Sequence, residues 1–156
     1  MSKTALLVID VQNDYFPQGK MELFCAEQAL KQINRLEDTF IENGQPIIYI
    51  QHIAQQPNAT FFEAGTEGVD LHSGLRVKPD SAVIKKHYPN SFFQTTLKAE
   101  LERLNVDKLV ITGMMTHMCV DATSRAAAEL GYQPAIIAEA TATRQLGYSG
   151  RTVQAE

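Results

Sequence analysis

Five short aliphatic and β-branched runs, each without a polar residue alternating through it, constrain this chain most: Thr4 to Ile9, Pro46 to Gln51, Ala82 to Lys85, Lys108 to Thr112 and Pro134 to Ala138. A strand apolar on both faces has no side left for water, so these read as short, fully buried strands of a parallel sheet covered above and below. The segments between them have helical period. Ala26 to Asn43 places Leu30, Ile33, Leu36, Phe40 and Ile41 on one face, Thr95 to Leu104 places Leu97, Leu101 and Leu104 together, and Cys119 to Leu130 is alanine-rich. Gly44 and Gly131 stand where helix C-caps are expected. Strand and helix in alternation give an α/β, three-layer α/β/α architecture. With 156 residues and 44% apolar content, residues 1–156 read as one domain.

One connection breaks the rhythm. From Gln51 to Asp80 there are glycines at 65, 68 and 74 and prolines at 57 and 79 but no sustained period, which suits a lid or binding loop. Phe61, Phe62, Val69 and Leu71 could anchor it; the alternative is a disordered insertion.

Charge and hydropathy exclude several roles. Fourteen Lys and Arg against eighteen Asp and Glu give a net charge of −4, without a run of five like charges, so no footprint for nucleic acid or an anionic membrane is present. No apolar run approaches the ~20 residues of a membrane span, and the N-terminus shows no signal-peptide pattern, so a cytoplasmic location is expected. Two cysteines, Cys25 and Cys119, are too few and too far apart for a disulfide framework or a zinc site.

In open parallel sheets ligands bind beyond the carboxyl ends of the strands, so polar residues just after strands carry most weight. Asp10 follows the first, Lys86 follows the third with Lys85 before it, and Cys119 lies in the turn after the fourth. A carboxylate at the mouth of a buried strand can serve as a base, although a loop-capping role is as common. A thiol near a helix N-terminus is biased towards thiolate, against the general tendency of a lone cysteine to be inert. Asp14 reads as solvated or as a local cap. Cys25, before the first helix with no basic partner nearby, reads as inert.

Three ordered motifs sharpen this. Leu7-Val8-Ile9-Asp10-Val11-Gln12-Asn13-Asp14-Tyr15-Phe16, Val83-Ile84-Lys85-Lys86-His87 with Ser91-Phe92, and Gly113 to Val120 together make the chain resemble the isochorismatase-like cysteine hydrolases along almost its whole length. The resemblance implies strand order 3-2-1-4-5-6 and a catalytic triad of Asp10, Lys86 and Cys119, with Lys86 preferred over Lys85. It also implies a cis Met114–Met115 peptide and an oxyanion hole made by the Met115 and Cys119 N–H groups. Phe16, His52, Phe92, Thr116 and His117 are the candidate substrate-binding residues.

Two departures qualify the match. Metal-using nicotinamidases of this family carry Asp-x-His and a further His after the second strand, whereas Gln51-His52-Ile53-Ala54-Gln55-Gln56 offers a lone His52, so no metal and no cofactor are expected. The family's last helix and sixth strand have no counterpart in this chain; Arg151 to Glu156 reads as the start of a helix, and the fifth strand is expected to be exposed.

The expected function is metal-independent hydrolysis of a small amide or related C–N bond through a thioester, with water as co-substrate and a homo-oligomer, dimer or tetramer, as the assembly. The alternatives are a catalytically idle binding or scaffold module on the same fold, or vinyl-ether hydrolysis of the isochorismatase type. Gln12 stands where an Asp-x-Asp phosphotransferase needs an acid, and neither G-x-G-x-x-G nor a P-loop occurs.

Overall fold

The computed structural model describes residues 2–156. Its elements run β1 (Thr4–Ile9), α1 (Ala26–Glu42), β2 (Ile47–His52), β3 (Ala82–Lys86), α2 (Leu97–Arg103), β4 (Lys108–Met114), α3 (Asp121–Glu129), β5 (Gln133–Ala142), β6 (Leu146–Tyr148) and β7 (Arg151–Val153). The first five strands form one parallel sheet in the order β3-β2-β1-β4-β5. This is the expected three-layer α/β fold and strand order.

Successive side chains of a strand point to opposite faces, and here both faces are covered. Leu6 and Val8 of β1 join Ile33 and Phe40 of α1, while Ala5, Leu7 and Ile9 join Leu97 and Leu101 of α2 and Ala127 of α3. Ala5 to Ile9 are each at most 1% exposed, which is why the strand shows no alternation in its sequence. No helix among the described residues is long and apolar enough to cross a membrane.

At the C-terminal end the fifth strand is exposed, as expected from the missing sixth strand, while its full burial and a helix starting at Arg151 are corrected. β5 is not fully buried: among the described residues it is an edge strand, paired only with β4, and Ile136 is 46% exposed. Arg151 to Val153 does not begin a helix but returns antiparallel on β6, with Tyr148 opposite Arg151. Ser149 and Gly150 between them both have positive φ, the conformation of a two-residue hairpin turn.

The long connection is packed down. Phe62, Val69 and Leu75 are buried, a 3₁₀ turn spans Glu67–Val69, and bridges join Gln12 to Leu71 and Ala54 to Glu63. Gln12 fastens it to the sheet: its side-chain amide donates to the carbonyls of His52 and Val69 at 2.8 and 2.7 Å and accepts from the His52 N–H at 2.8 Å.

Candidate active site

Strand order reverses between β1 and β4, and the chemistry gathers at their carboxyl ends. Asp10 leaves β1 in a left-handed conformation (φ 53°), tied by its N–H to the Ile50 carbonyl at 3.0 Å. Cys119 sits in a π-helical turn, Thr116–Val120, between β4 and α3. The close approach of β4 to β1 requires Gly113, since a Cβ there would overlap the Ile9 backbone and its φ is 122°. The Met114–Met115 peptide is cis, as the resemblance implied.

Lys86 ends β3, two strands from β1, and strand alternation turns it inwards while Lys85 is exposed. Its ammonium reaches back across the end of β2. Nζ lies 2.9 Å from Asp10 Oδ2, 3.3 Å from Cys119 Sγ, 2.8 Å from His52 Nδ1 and 3.0 Å from the Tyr88 carbonyl. An ammonium has three protons, and the hydrogen bonds to His52, Cys119 and Tyr88 take all three, so Asp10 is met by charge alone. Asp10 and Lys86 are both wholly buried, and no donor with good hydrogen-bond geometry reaches either Asp10 oxygen, so the ion pair is its main support.

Burial pushes the Cys119 thiol well above its ordinary range, and the neighbouring Asp10 carboxylate adds to this while Lys86 opposes it. The expectation of a thiolate poised by the helix N-terminus is therefore corrected. At rest the site holds a thiol beside an Asp–Lys pair. Burial and then the Lys86 charge lower the pKa of His52 from 6.5 to about 4, leaving a neutral ring whose Nδ1 accepts from Lys86.

Asp10, His52 and Cys119 offer ligand atoms within 4.8 Å of one another, the spacing of a metal site. The Lys86 ammonium lies within 3.3 Å of an atom of each and takes the place a cation would occupy. A metal does not fit these residues unless that ammonium leaves.

A pocket of about 160 Å³ opens above Cys119. The rings of Tyr15, Phe61 and Phe62 line it together with Pro89, Met115 and Met118, and His52 and Cys119 complete it. Of the five expected binding residues only His52 is among them. Phe16 is buried against His72, with ring centroids 4.1 Å apart, and Phe92 packs on Tyr132 at 5.8 Å. Thr116 and His117 turn away to β5 and the residue after it: Thr116 Oγ1 donates to Thr141 Oγ1 at 3.0 Å, and His117 Nδ1 meets Thr143 Oγ1 at 2.6 Å.

Asp14 is neither solvated nor only a local cap. It is 2% exposed and accepts the Phe62 N–H at 2.7 Å, holding that ring over the site. The adjacent Gly68 leaves room for the carboxylate, where a Cβ would collide. Ser91 is likewise buried, accepting from Thr123 Oγ1 at 2.8 Å and so joining the segment after β3 to α3. Sequence reasoning missed Tyr15, Phe61 and Phe62 as pocket walls. Their signals were present, as aromatic neighbours of a strand-end acid and as anchors of an unusually long loop.

Comparison with known proteins shows the family to which this fold belongs. The family model described as Isochorismatase domain matches residues 4–149. The chain is 46% identical over 153 residues to the uncharacterized isochorismatase family protein YddQ of Bacillus subtilis, covering 98% of this chain and 85% of that one. The crystal structure of a hydrolase assigned to the isochorismatases, from Oleispira antarctica, superposes with a TM-score of 0.94 at 41% identity, covering 99% of this chain and 83% of that one. A streptothricin hydrolase of Streptomyces noursei is 32% identical over 139 residues, 89% of this chain and 49% of that protein. The chain belongs to the isochorismatase family, and its class is hydrolase.

Proposed function

We propose that this protein is a metal-independent cysteine hydrolase that cleaves a small amide or related C–N bond through a thioester. One observation carries the reading: a single buried ammonium lies within 3.3 Å of both a carboxylate and a thiol on the wall of a pocket. A scaffold has no need to bury such a group.

Because the resting thiol is protonated, attack and proton transfer belong to one step. Cys119 Sγ bonds to the substrate carbonyl carbon as its proton passes to Asp10, and Lys86 offsets the negative charge left between them. The Met115 and Cys119 N–H groups receive the carbonyl oxygen as it gains charge. The C–N bond then breaks, the nitrogen takes the proton from Asp10, and the acyl group stays on sulfur. Water attacks the thioester while giving a proton to Asp10; the C–S bond breaks, and Asp10 returns that proton to the thiolate. The net change is amide plus water to acid plus amine.

The test is Cys119→Ala against a panel of small amides, with intact mass recorded on wild-type protein quenched during turnover. The expected result is an acyl adduct on Cys119 in the wild type and loss of turnover, at least 10³-fold, in a variant with unchanged circular dichroism. Wild-type rates from Cys119→Ala would overturn the mechanism.

A further inference from the structure

Resting on the proposed cysteine chemistry, we infer that the pocket above Cys119 selects an uncharged hydrocarbon acyl group no larger than a single six-membered ring. Size, lining and charge each point to such a group. An apolar cavity of about 150 Å³ is filled by benzene, and the space here is about 160 Å³.

Its walls are aromatic and fixed. Tyr15 and Phe62 lie with ring centroids 4.6 Å apart, Phe61 meets Phe62 edge-on at 4.9 Å, and Phe62 is locked by the bond from its N–H to the buried Asp14. Such rings offer a flat or branched hydrocarbon dispersion contact on several sides.

Charge is absent from the lining. The Lys86 ammonium already gives its three hydrogen bonds to His52, Cys119 and Tyr88, and Asp10 is matched by its charge, so neither has capacity to pair a charged substituent. His52 is a neutral ring at pH 7. Arg144 is exposed, lines none of this pocket and donates to the Gln145 carbonyl. A carboxylate on the acyl group would lose its water here without gaining a counter-ion, and burying an unpaired charge is among the costliest events in a protein interior. The free polar group is the Tyr15 hydroxyl, which makes no hydrogen bond among the described residues and offers at most one neutral contact.

The probes are p-nitrophenyl esters of isobutyric, benzoic, 2-naphthoic and succinic acids, the last carrying a free carboxylate. They are tested on a Cys25→Ser background so that the exposed thiol cannot contribute. In each acylation the thioester C–S bond forms, the ester C–O bond breaks, p-nitrophenolate leaves and the thiol proton passes to Asp10. Rates of nitrophenolate release, divided by each ester's rate with free cysteine, report the pocket alone, and intact mass with Cys119→Ala locates the acyl group.

The expected order is benzoyl and isobutyryl at least tenfold above both naphthoyl and succinyl, with Phe62→Leu recovering naphthoyl but not succinyl. Succinyl transfer equal to benzoyl, or naphthoyl transfer equal to benzoyl in the unaltered pocket, overturns the inference while leaving the nucleophile in place. Absence of Cys119 acylation by every ester overturns the nucleophile and this inference together.

Discussion

Asp10, Lys86 and Cys119 carry opposite demands, and their environment shows which one wins. Water exclusion alone raises the thiol, and the adjacent carboxylate raises it further, so the lysine serves the charge that appears during attack more than a thiolate at rest. His52 holds that lysine from the other side. Its folded pKa, about 4, lies below its ordinary 6.5, so between these values the unfolded chain binds more protons than the native one. The stability this represents is complete above pH 6.5 and is lost as the pH falls towards 4, at most about 3 kcal/mol. Urea denaturation from pH 7.5 to 4.5 should show that loss in the wild type and a shallower one in His52→Gln; parallel profiles would remove His52 as the cause. Of these residues, the acid, the lysine and the thiol were legible in sequence because each follows a strand. The neutral state of His52 was not, because it depends first on burial under the long loop and then on a lysine 34 positions away.

Whole elements decide where those side chains meet. Strand and helix identity followed from period and apolar content, and β1, β2, β3 and β4 fall within two residues of their expected ends. The C-terminal hairpin escaped because Ser149-Gly150 acts through positive φ at both positions, a backbone property that the helix-like composition of Arg151 to Glu156 conceals. Phe16, Phe92, Thr116 and His117 misled for a different reason: nearness in sequence to a reactive residue fixes the element and not the direction of the side chain. Gly113 is the element-level hinge of the site, since only a missing Cβ lets β4 lie against the end of β1. Gly113→Ala adds a clash with backbone and a strained φ, so a loss on the order of 3 kcal/mol or more is expected in thermal or urea unfolding. A fully stable variant would show that the two strands can part without harm.

For the molecule as a whole, the sheet ends in an edge strand on each side, β3 and β5, among the described residues. β5 offers an unpaired edge with Ile136 46% exposed, and such edges template further pairing. Concentration-dependent association by sedimentation is the expected behaviour, and Ile136→Lys, which places a charge on that strand, should weaken it severalfold; a monomer at every concentration would contradict this. The buried ion pair has a different bearing on the same sheet. A slip of β3 by one residue that sets His87 opposite His52 exchanges inward and outward side chains, turning Lys86 outwards and stranding Asp10 without its cation. Misregistered intermediates are thereby penalised at the point where the chemistry sits. The charge pair thus ties the native register of β3 to the site, and a chain slipped in that direction is a less stable chain before it can be a faulty catalyst.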